Sequence, residues 1–265
     1  MSELKAIIFD MDGTLADTEE LHRQAFNLAF KECACPLNWS RREYKQLLSI
    51  SGGRERIRHC LRRAGVAGDD LQGTVDTVHK SKSVLYRQIL VAGNIELRPG
   101  IHRLVEECRL AGVKLAIATS SSSENVNTLL HSTFGPDGSE LFTSVATSDF
   151  ITEQKPAPAA YQYTLSNLEL KAQECIAIED TGNGNLAALA AGIKTVITTH
   201  PLTIDNDFAG ASLVVNHLGE PGKPFRLIAG TAYGSDYVDL DLLKMLLSSA
   251  AGQYPAGMAK VASNR

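Results

Sequence analysis

The chain has 265 residues, 21% of them charged and 44% hydrophobic, with a formal net charge of -4 and its Lys and Arg scattered along it. That length buries a sizeable core, in one large domain or two small ones, and the balance is that of neither a disordered nor a fibrous chain. It excludes a basic nucleic-acid-binding face, and no apolar run reaches the roughly 18 residues that cross a bilayer.

Ala6-Ile7-Ile8-Phe9 is an apolar run that ends in Asp10-Met11-Asp12-Gly13-Thr14. A run this short reads as a buried strand delivering two carboxylates at its carboxyl end, the edge of an open α/β sheet where ligands bind. Asp-Gly alone would be read as a turn. Asp10 and Asp12, however, lie on one side of an extended chain, and their charges repel unless a cation, a shared proton or a phosphoryl group sits between them.

The period then becomes helical, with Leu21, Ala25, Phe26, Ala29 and Phe30 on one face, and further helices are predicted over 41–48, 54–64 and 75–91. No strand is predicted among them. The pattern therefore predicts an all-helical insert at residues 17–95 within a core made of residues 1–16 and 96–265. From Pro99 the elements alternate: helices over 101–111, 124–130, 157–168 and 183–191, and strands over 113–118, 142–146, 175–178, 194–197 and 213–215. This predicts an α/β fold with a doubly wound parallel sheet and right-handed crossovers. Residues 218–224 read as a loop, 239–250 as a terminal helix and 252–265 as frayed chain.

Five cysteines without zinc-ribbon spacing read as reduced thiols in a reducing compartment, cytoplasm or plastid stroma. Cys33-Ala-Cys35 has the look of a redox pair but reads as a coincidence at a helix end. No charged start followed by an apolar core precedes Asp10, so a secretory leader is not expected.

Polar residues end three later segments at the edge where Asp10 emerges. Thr119-Ser120 follow the strand at 113–118, Lys155-Pro156 precede the helix at 157–168, and Glu179-Asp180, with Gly182 and Gly184 beyond, follow the strand at 175–178. Singly, these are helix caps and a solvated lysine. Together with the two aspartates they gather oxygen ligands for a cation, one fixed cation and hydroxyl donors. In the insert, Gly52-Gly53-Arg54 at a helix start is suited to cradle a phosphate, although Arg54, Arg58 and Lys82 also read as a solvated face.

Asp10-Met11-Asp12-Gly13-Thr14, Thr119, Lys155-Pro156 and Glu179-Asp180 resemble the four-motif signature of the haloacid dehalogenase superfamily of phosphotransferases. Residues 17–95 resemble the helical cap of its subgroup containing beta-phosphoglucomutase and many sugar phosphatases. The resemblance implies a Rossmann-like core in which Asp10 is the nucleophile, forming an aspartyl-phosphate, and Asp12 is the general acid/base. It implies that Thr119 and Lys155 hold the phosphoryl oxygens. It also implies Mg2+ on Asp10, on the backbone carbonyl of Asp12 and on Asp180, supported by Glu179. Residues 17–26, 52–57 and 97–101 are similar to the CbbY-type phosphatases associated with Rubisco, which convert xylulose-1,5-bisphosphate to xylulose-5-phosphate. By that pattern Glu19, His22, Gly53, Arg54, Lys82 and Ser120 contact the sugar phosphate. A monomer with a functional link to Rubisco, but no stable complex with it, is expected.

The physics of these roles is coherent. A carboxylate attacking a phosphate meets a repulsion of about 4 kcal/mol per charge pair at ~4 Å and an effective dielectric of ~20, so countercharge is required. Mg2+ and Lys155 are the cations to hand. Asp12 must start protonated to serve as an acid, which predicts a raised pKa. A mutase would use the same residues, and a catalytically silent relative is the remaining alternative. Two departures from the pattern are the uniform run Ser120 to Ser123 and a tail, residues 216–265, longer than a compact bacterial member needs and closer to plastid-type relatives.

Overall fold

The computed structural model describes residues 3–93 and 95–249; the stretch expected to fray, 252–265, lies outside them. The first strand, β1, is Ala6–Phe9. Four helices follow it: α1 Glu19–Glu32, α2 Arg41–Leu47, α3 Gly53–Arg63 and α4 Asp69–Ala92. The alternating part comprises α5 Ile101–Ala111, β2 Lys114–Ala118, α6 Ser123–Phe134, β3 Ser144–Ala146, α7 Ala159–Leu168, β4 Cys175–Glu179, α8 Gly182–Ala190, β5 Lys194–Thr198, β6 Leu213–Val215, β7 Leu227–Gly230 and α9 Leu240–Ser248.

The strands form one sheet in the order β3-β2-β1-β4-β5-β6-β7, parallel except for β7, which runs antiparallel to β6. All four residues of β1 are buried, as an unbroken apolar run requires when helices cover both faces. Side chains alternate between the faces. Ile7, Phe9, Ile117 and Ile178 join a core with α5, α6 and α9, whereas Ala6, Ile8, Ala116 and Ala177 pack with α7 and α8. The small alanines let those last two helices approach closely.

Phe9 is in register with Ile117 on one side and Ile178 on the other, so Asp10 emerges level with the ends of β2 and β4. The chain order reverses at β1: β2 and β3 extend the sheet one way, and β4 returns to its other side. The crevice at that reversal is the expected ligand site of an open α/β sheet.

Helices α1–α3 and part of α4 share a separate apolar core built on Phe26, Phe30, Trp39, Tyr44, Ile57 and Val78. Phe30 meets Trp39 edge-on, with ring centroids 4.8 Å apart, a favoured aromatic geometry. A capping box between Ser40 and Glu43 starts α2. Two connections join these helices to the sheet, and they pair with each other: Ala16 bridges Leu97, and the Arg98 N–H donates to the Leu15 carbonyl at 2.8 Å.

Some boundaries differ from expectation. Helix α4 begins at Asp69 rather than near residue 75, because its first turn is polar and hides the apolar period. Residues 138–141 wind into a 3-10 turn, which shortens β3 to Ser144–Ala146. Pro156 and Pro158 delay α7 to Ala159, with Pro158 at its N-cap. Strand β7 was not anticipated: its residues are mostly exposed, so no alternation marks it.

Candidate active site

At the end of β1 the Asp10 carboxylate accepts a hydrogen bond from Lys155 Nζ at 2.6 Å through Oδ1. The same ammonium reaches Glu179 Oε1 at 2.5 Å, and the Tyr161 hydroxyl donates to that oxygen at 2.7 Å. The other oxygen of Glu179 accepts from the Asp180 N–H at 3.1 Å. Glu179 is thus fully engaged from behind, and it fixes Lys155 beside Asp10. Gly184 is required here, since a Cβ at that position would overlap the Glu179 carboxyl.

Asp180 is completely buried. Its Oδ2 lies 3.0 Å from His200 Nε2, and its Oδ1 is 3.4 Å from the Thr14 hydroxyl. The Leu202 N–H points to His200 Nδ1 at 3.4 Å, so Nδ1 is the acceptor and Nε2–H donates to Asp180. Carboxylate oxygens of Asp10, Glu179 and Asp180 all lie within 4.8 Å of one another.

Charge in this cluster is strongly coupled. Burial works against the Lys155 charge, yet the Asp10 and Glu179 carboxylates outweigh it and hold its pKa above the ordinary lysine value. Burial pushes the Asp10 carboxyl up, Lys155 pulls it down, and the neighbouring Glu179 and Asp180 push it up again. Asp180 is raised to about 6, chiefly by burial, with His200 opposing. Three buried carboxylates and one lysine leave negative charge uncompensated, and oxygen-only donors suit a hard cation. The residues present fit a Mg2+-type ion.

Asp12 has different surroundings. Its Oδ1 accepts from the Thr18 hydroxyl at 2.6 Å, His22 Nε2 at 2.9 Å and the Tyr86 hydroxyl at 3.0 Å, and its Oδ2 accepts from the Ser121 hydroxyl at 2.6 Å. Burial alone would raise this carboxyl, but His22, Ser121 and Thr18 overcome it and hold the pKa below the ordinary range. The expected raised pKa is therefore corrected: in this arrangement the Asp12 carboxyl is held in its ionised form.

A cavity opens above Asp10 between the sheet edge and the helical insert. Thr119, Ser120 and Lys155 line it from the sheet side, and Glu19, His22, Gly53 and Lys82 from the insert. The Tyr44 hydroxyl holds Glu19 at 2.7 Å, and Lys82 Nζ lies 2.6 Å from His22 Nδ1. Burial lowers Lys82 to about 8. Arg54 is not brought to the cavity. It lies on the outer face of α3, where it pairs with Asp76, and Arg56 takes the inner position. Gly53 packs towards Phe26, and its neighbour on the same helix face is the residue three positions on, Arg56, not the next one.

Sequence reasoning missed Arg56, Ser121, Tyr86, Tyr161 and His200. Tyr86 stands four residues after Lys82 on one helix face, a signal that was present in the spacing. Ser121 was hidden in a uniform serine run. His200 lies after β5, where no motif marks it.

Residues 7–198 match the model of the haloacid dehalogenase-like hydrolase family. The chain belongs to the haloacid dehalogenase-like hydrolases. The CbbY protein of Cupriavidus necator is 43% identical over 224 residues, 83% of this chain and 88% of its own. A crystal structure of a mutant CbbY from Rhodobacter sphaeroides in complex with xylulose-1,5-bisphosphate superposes with a TM-score of 0.76 at 38% identity, covering 81% of this chain and 94% of that one. A phosphorylated-carbohydrate phosphatase of Thermotoga maritima is 26% identical over 193 residues, 73% of this chain and 84% of its own. This haloacid dehalogenase-like hydrolase is a phosphoric monoester hydrolase, with its acidic cluster at the switch point of the sheet. Among the described residues no helix is long and apolar enough to cross a membrane.

Proposed function

We propose that this chain is a Mg2+-dependent sugar bisphosphate phosphatase that converts xylulose-1,5-bisphosphate to xylulose-5-phosphate, with residues 17–95 acting as a substrate-selecting cap. The observation that carries the reading is the pairing of Asp10 with Lys155 beside Glu179 and Asp180, beneath a cavity that carries Lys82 and Arg56 on the far side. One end of the cavity suits a phosphoryl group under attack, and the other offers cations for a second phosphate. The likeness to CbbY supports the substrate.

Lys155 holds Asp10 Oδ1, which leaves Oδ2 free for in-line attack on phosphorus. The bond from phosphorus to the sugar oxygen breaks as the aspartyl-phosphate forms. Thr119 and Lys155 hold the phosphoryl oxygens. Asp12 then protonates the departing alkoxide and later takes a proton from the water that hydrolyses the aspartyl-phosphate. The lowered pKa leaves Asp12 ionised, the form the second step needs; the negative charge of an arriving phosphate raises its affinity for a proton from solvent, which the first step hands to the alkoxide and the second restores from the attacking water. A Mg2+ ion held by Asp10, Asp180 and the Asp12 carbonyl would neutralise charge on the phosphoryl oxygens.

Phosphate release is measured over ketose and aldose mono- and bisphosphates with Mg2+. The proposal expects xylulose-1,5-bisphosphate to rank first, and a lower rank than ordinary monophosphates overturns the substrate assignment. Isomerised sugar phosphate without free phosphate would identify a mutase. Asp10→Asn should abolish turnover, with a thermal midpoint near the parent value; release at the parent rate would exclude the covalent route.

A further inference from the structure

We propose that Tyr86 is a positioning residue for Asp12, through which the insert helix α4 aims the acid–base carboxylate of the core. The inference rests on the acid–base role given to Asp12 above. It starts from an asymmetry between the two oxygens of that carboxylate. Oδ1 receives three donors, from Thr18, His22 and Tyr86, at 2.6, 2.9 and 3.0 Å, and Oδ2 receives only Ser121 at 2.6 Å. Oδ1 is therefore the clamped oxygen, and Oδ2, with one donor, keeps more of its lone-pair capacity for the proton it exchanges.

Each donor to Oδ1 is itself fixed. The Tyr86 ring is fully buried, and a buried phenolic hydroxyl needs a partner; Asp12 is that partner. Burial, and then the charge of Asp12, push the phenol pKa upward, so the hydroxyl keeps its proton and donates. The His22 ring stacks on the Tyr86 ring with centroids 3.9 Å apart and planes 10° from parallel. Lys82 Nζ, 2.6 Å from His22 Nδ1 and 4.8 Å from the Tyr86 ring centroid, donates to Nδ1, which places the His22 proton on Nε2, facing Asp12. Lys82 and Tyr86 are four residues apart on α4, and His22 stands on α1. Two insert helices thus meet at one oxygen of a core residue.

The consequence is directional. The donors from α1 and its N-cap approach Oδ1 from one side; the Tyr86 hydroxyl, from α4, adds a second direction that restricts rotation about the Cβ–Cγ bond. Any movement of α4 away from the sheet withdraws the Tyr86 hydroxyl with it. Proton delivery to the leaving group therefore depends on the seating of α4, and so does proton removal from the attacking water. The nucleophile itself does not, because Lys155 and Glu179 hold Asp10 from the core side.

The test exploits leaving groups. Tyr86→Phe removes one hydroxyl and keeps the stacked ring. Its kcat/KM is measured with two substrates: the sugar phosphate turned over fastest in the screen above, whose alkoxide needs a proton to leave, and p-nitrophenyl phosphate, whose phenolate leaves without one. Because kcat/KM reports steps up to formation of the aspartyl-phosphate, only the sugar substrate feels a misplaced acid. The expected result is a loss of about tenfold to a hundredfold with the sugar phosphate and less than about twofold with the aryl phosphate. Any unfolded fraction cancels in the ratio of the two values. An unchanged ratio overturns the proposal, whether both substrates are spared or both are lost equally. Asp12→Asn is run alongside: if it too leaves the ratio unchanged, the acid–base reading of Asp12 fails and the proposal falls with it. If Asp12→Asn changes the ratio and Tyr86→Phe does not, the proposal alone fails.

Discussion

With the substrate role proposed for it, the buried Lys82 would tie substrate binding to pH. Its pKa is lowered from 10.5 to about 8, chiefly by burial, while Asp12 pulls it up and Arg56 pushes it further down. Below about pH 8 the ammonium is charged and can attract a sugar phosphate; above it the charge is lost. The unfolded chain keeps its proton up to 10.5, so between about 8 and 10.5 the folded state binds fewer protons than the unfolded one, and this group's contribution to stability rises with pH. Binding and stability therefore move in opposite directions there. In a pH–rate series, wild-type kcat/KM for the sugar phosphate should fall through about pH 8, and in Lys82→Met it should be low and flat across that window. A descending limb near pH 8 that survives in Lys82→Met would assign it to another group.

Where the chain returns from the insert to the core, one guanidinium just before α5 ties the ends of three strands together. Arg98 donates to the backbone carbonyls of Thr198 at 2.9 Å, Thr199 at 2.7 Å and Asn216 at 2.7 Å, and also to the carbonyl of Gly13. Four loop carbonyls from the ends of β1, β5 and β6 converge on a planar fork with five donors. An ammonium, being a compact point charge, cannot span them. Arg98→Met should cost about 3 kcal/mol of stability in denaturant unfolding, since several carbonyls lose their partner, and water entering the adjacent cleft recovers only part. Arg98→Lys should restore less than half of that loss. Full restoration by lysine would show that charge matters there and the fork does not. The Gly13 contact makes the same residue a brace for the turn that follows Asp12, so kcat should fall with stability.

Across the molecule, legibility followed how local the cause was. β1 and β4 were readable because an apolar run ending in carboxylates has one economical interpretation, and the helical insert was readable from its period. Strand β7 escaped because its own residues mostly face solvent and leave no apolar alternation to read. The site divided in the same way. Asp10, Lys155, Glu179 and Asp180 stand in motifs, whereas His200 and Arg56 matter through tertiary contacts that no spacing announces. Arg54 was expected at the cavity because a glycine pair preceded it, and helix phase put Arg56 there instead. The lowered pKa of Asp12 was out of reach for a different reason. It depends on His22, Ser121 and Thr18 meeting around one carboxylate, and the sequence showed only its acidic neighbours.

With the proposed Mg2+ on the acidic cluster, proton and metal binding are linked over the whole fold. Asp180 has a pKa of about 6 in the folded protein, raised first by burial, against 3.8 for an ordinary carboxyl. Between those values the folded state binds more protons than the unfolded chain. This group's contribution to stability therefore falls as pH rises from about 4 to 6, and the full cost of its buried charge is present above 6. A divalent cation binds the ionised form and offsets that cost, so it must displace a proton whenever the pH is below about 6. At a fixed millimolar concentration, Mg2+ should raise the thermal midpoint of the metal-free protein by several degrees at about pH 7.5 and by much less at about pH 5. Asp180→Asn removes the titrating group and one ligand, and should abolish the pH-dependent part of the shift. Equal stabilisation at both pH values in the parent would mean that the ion binds elsewhere than between Asp10 and Asp180.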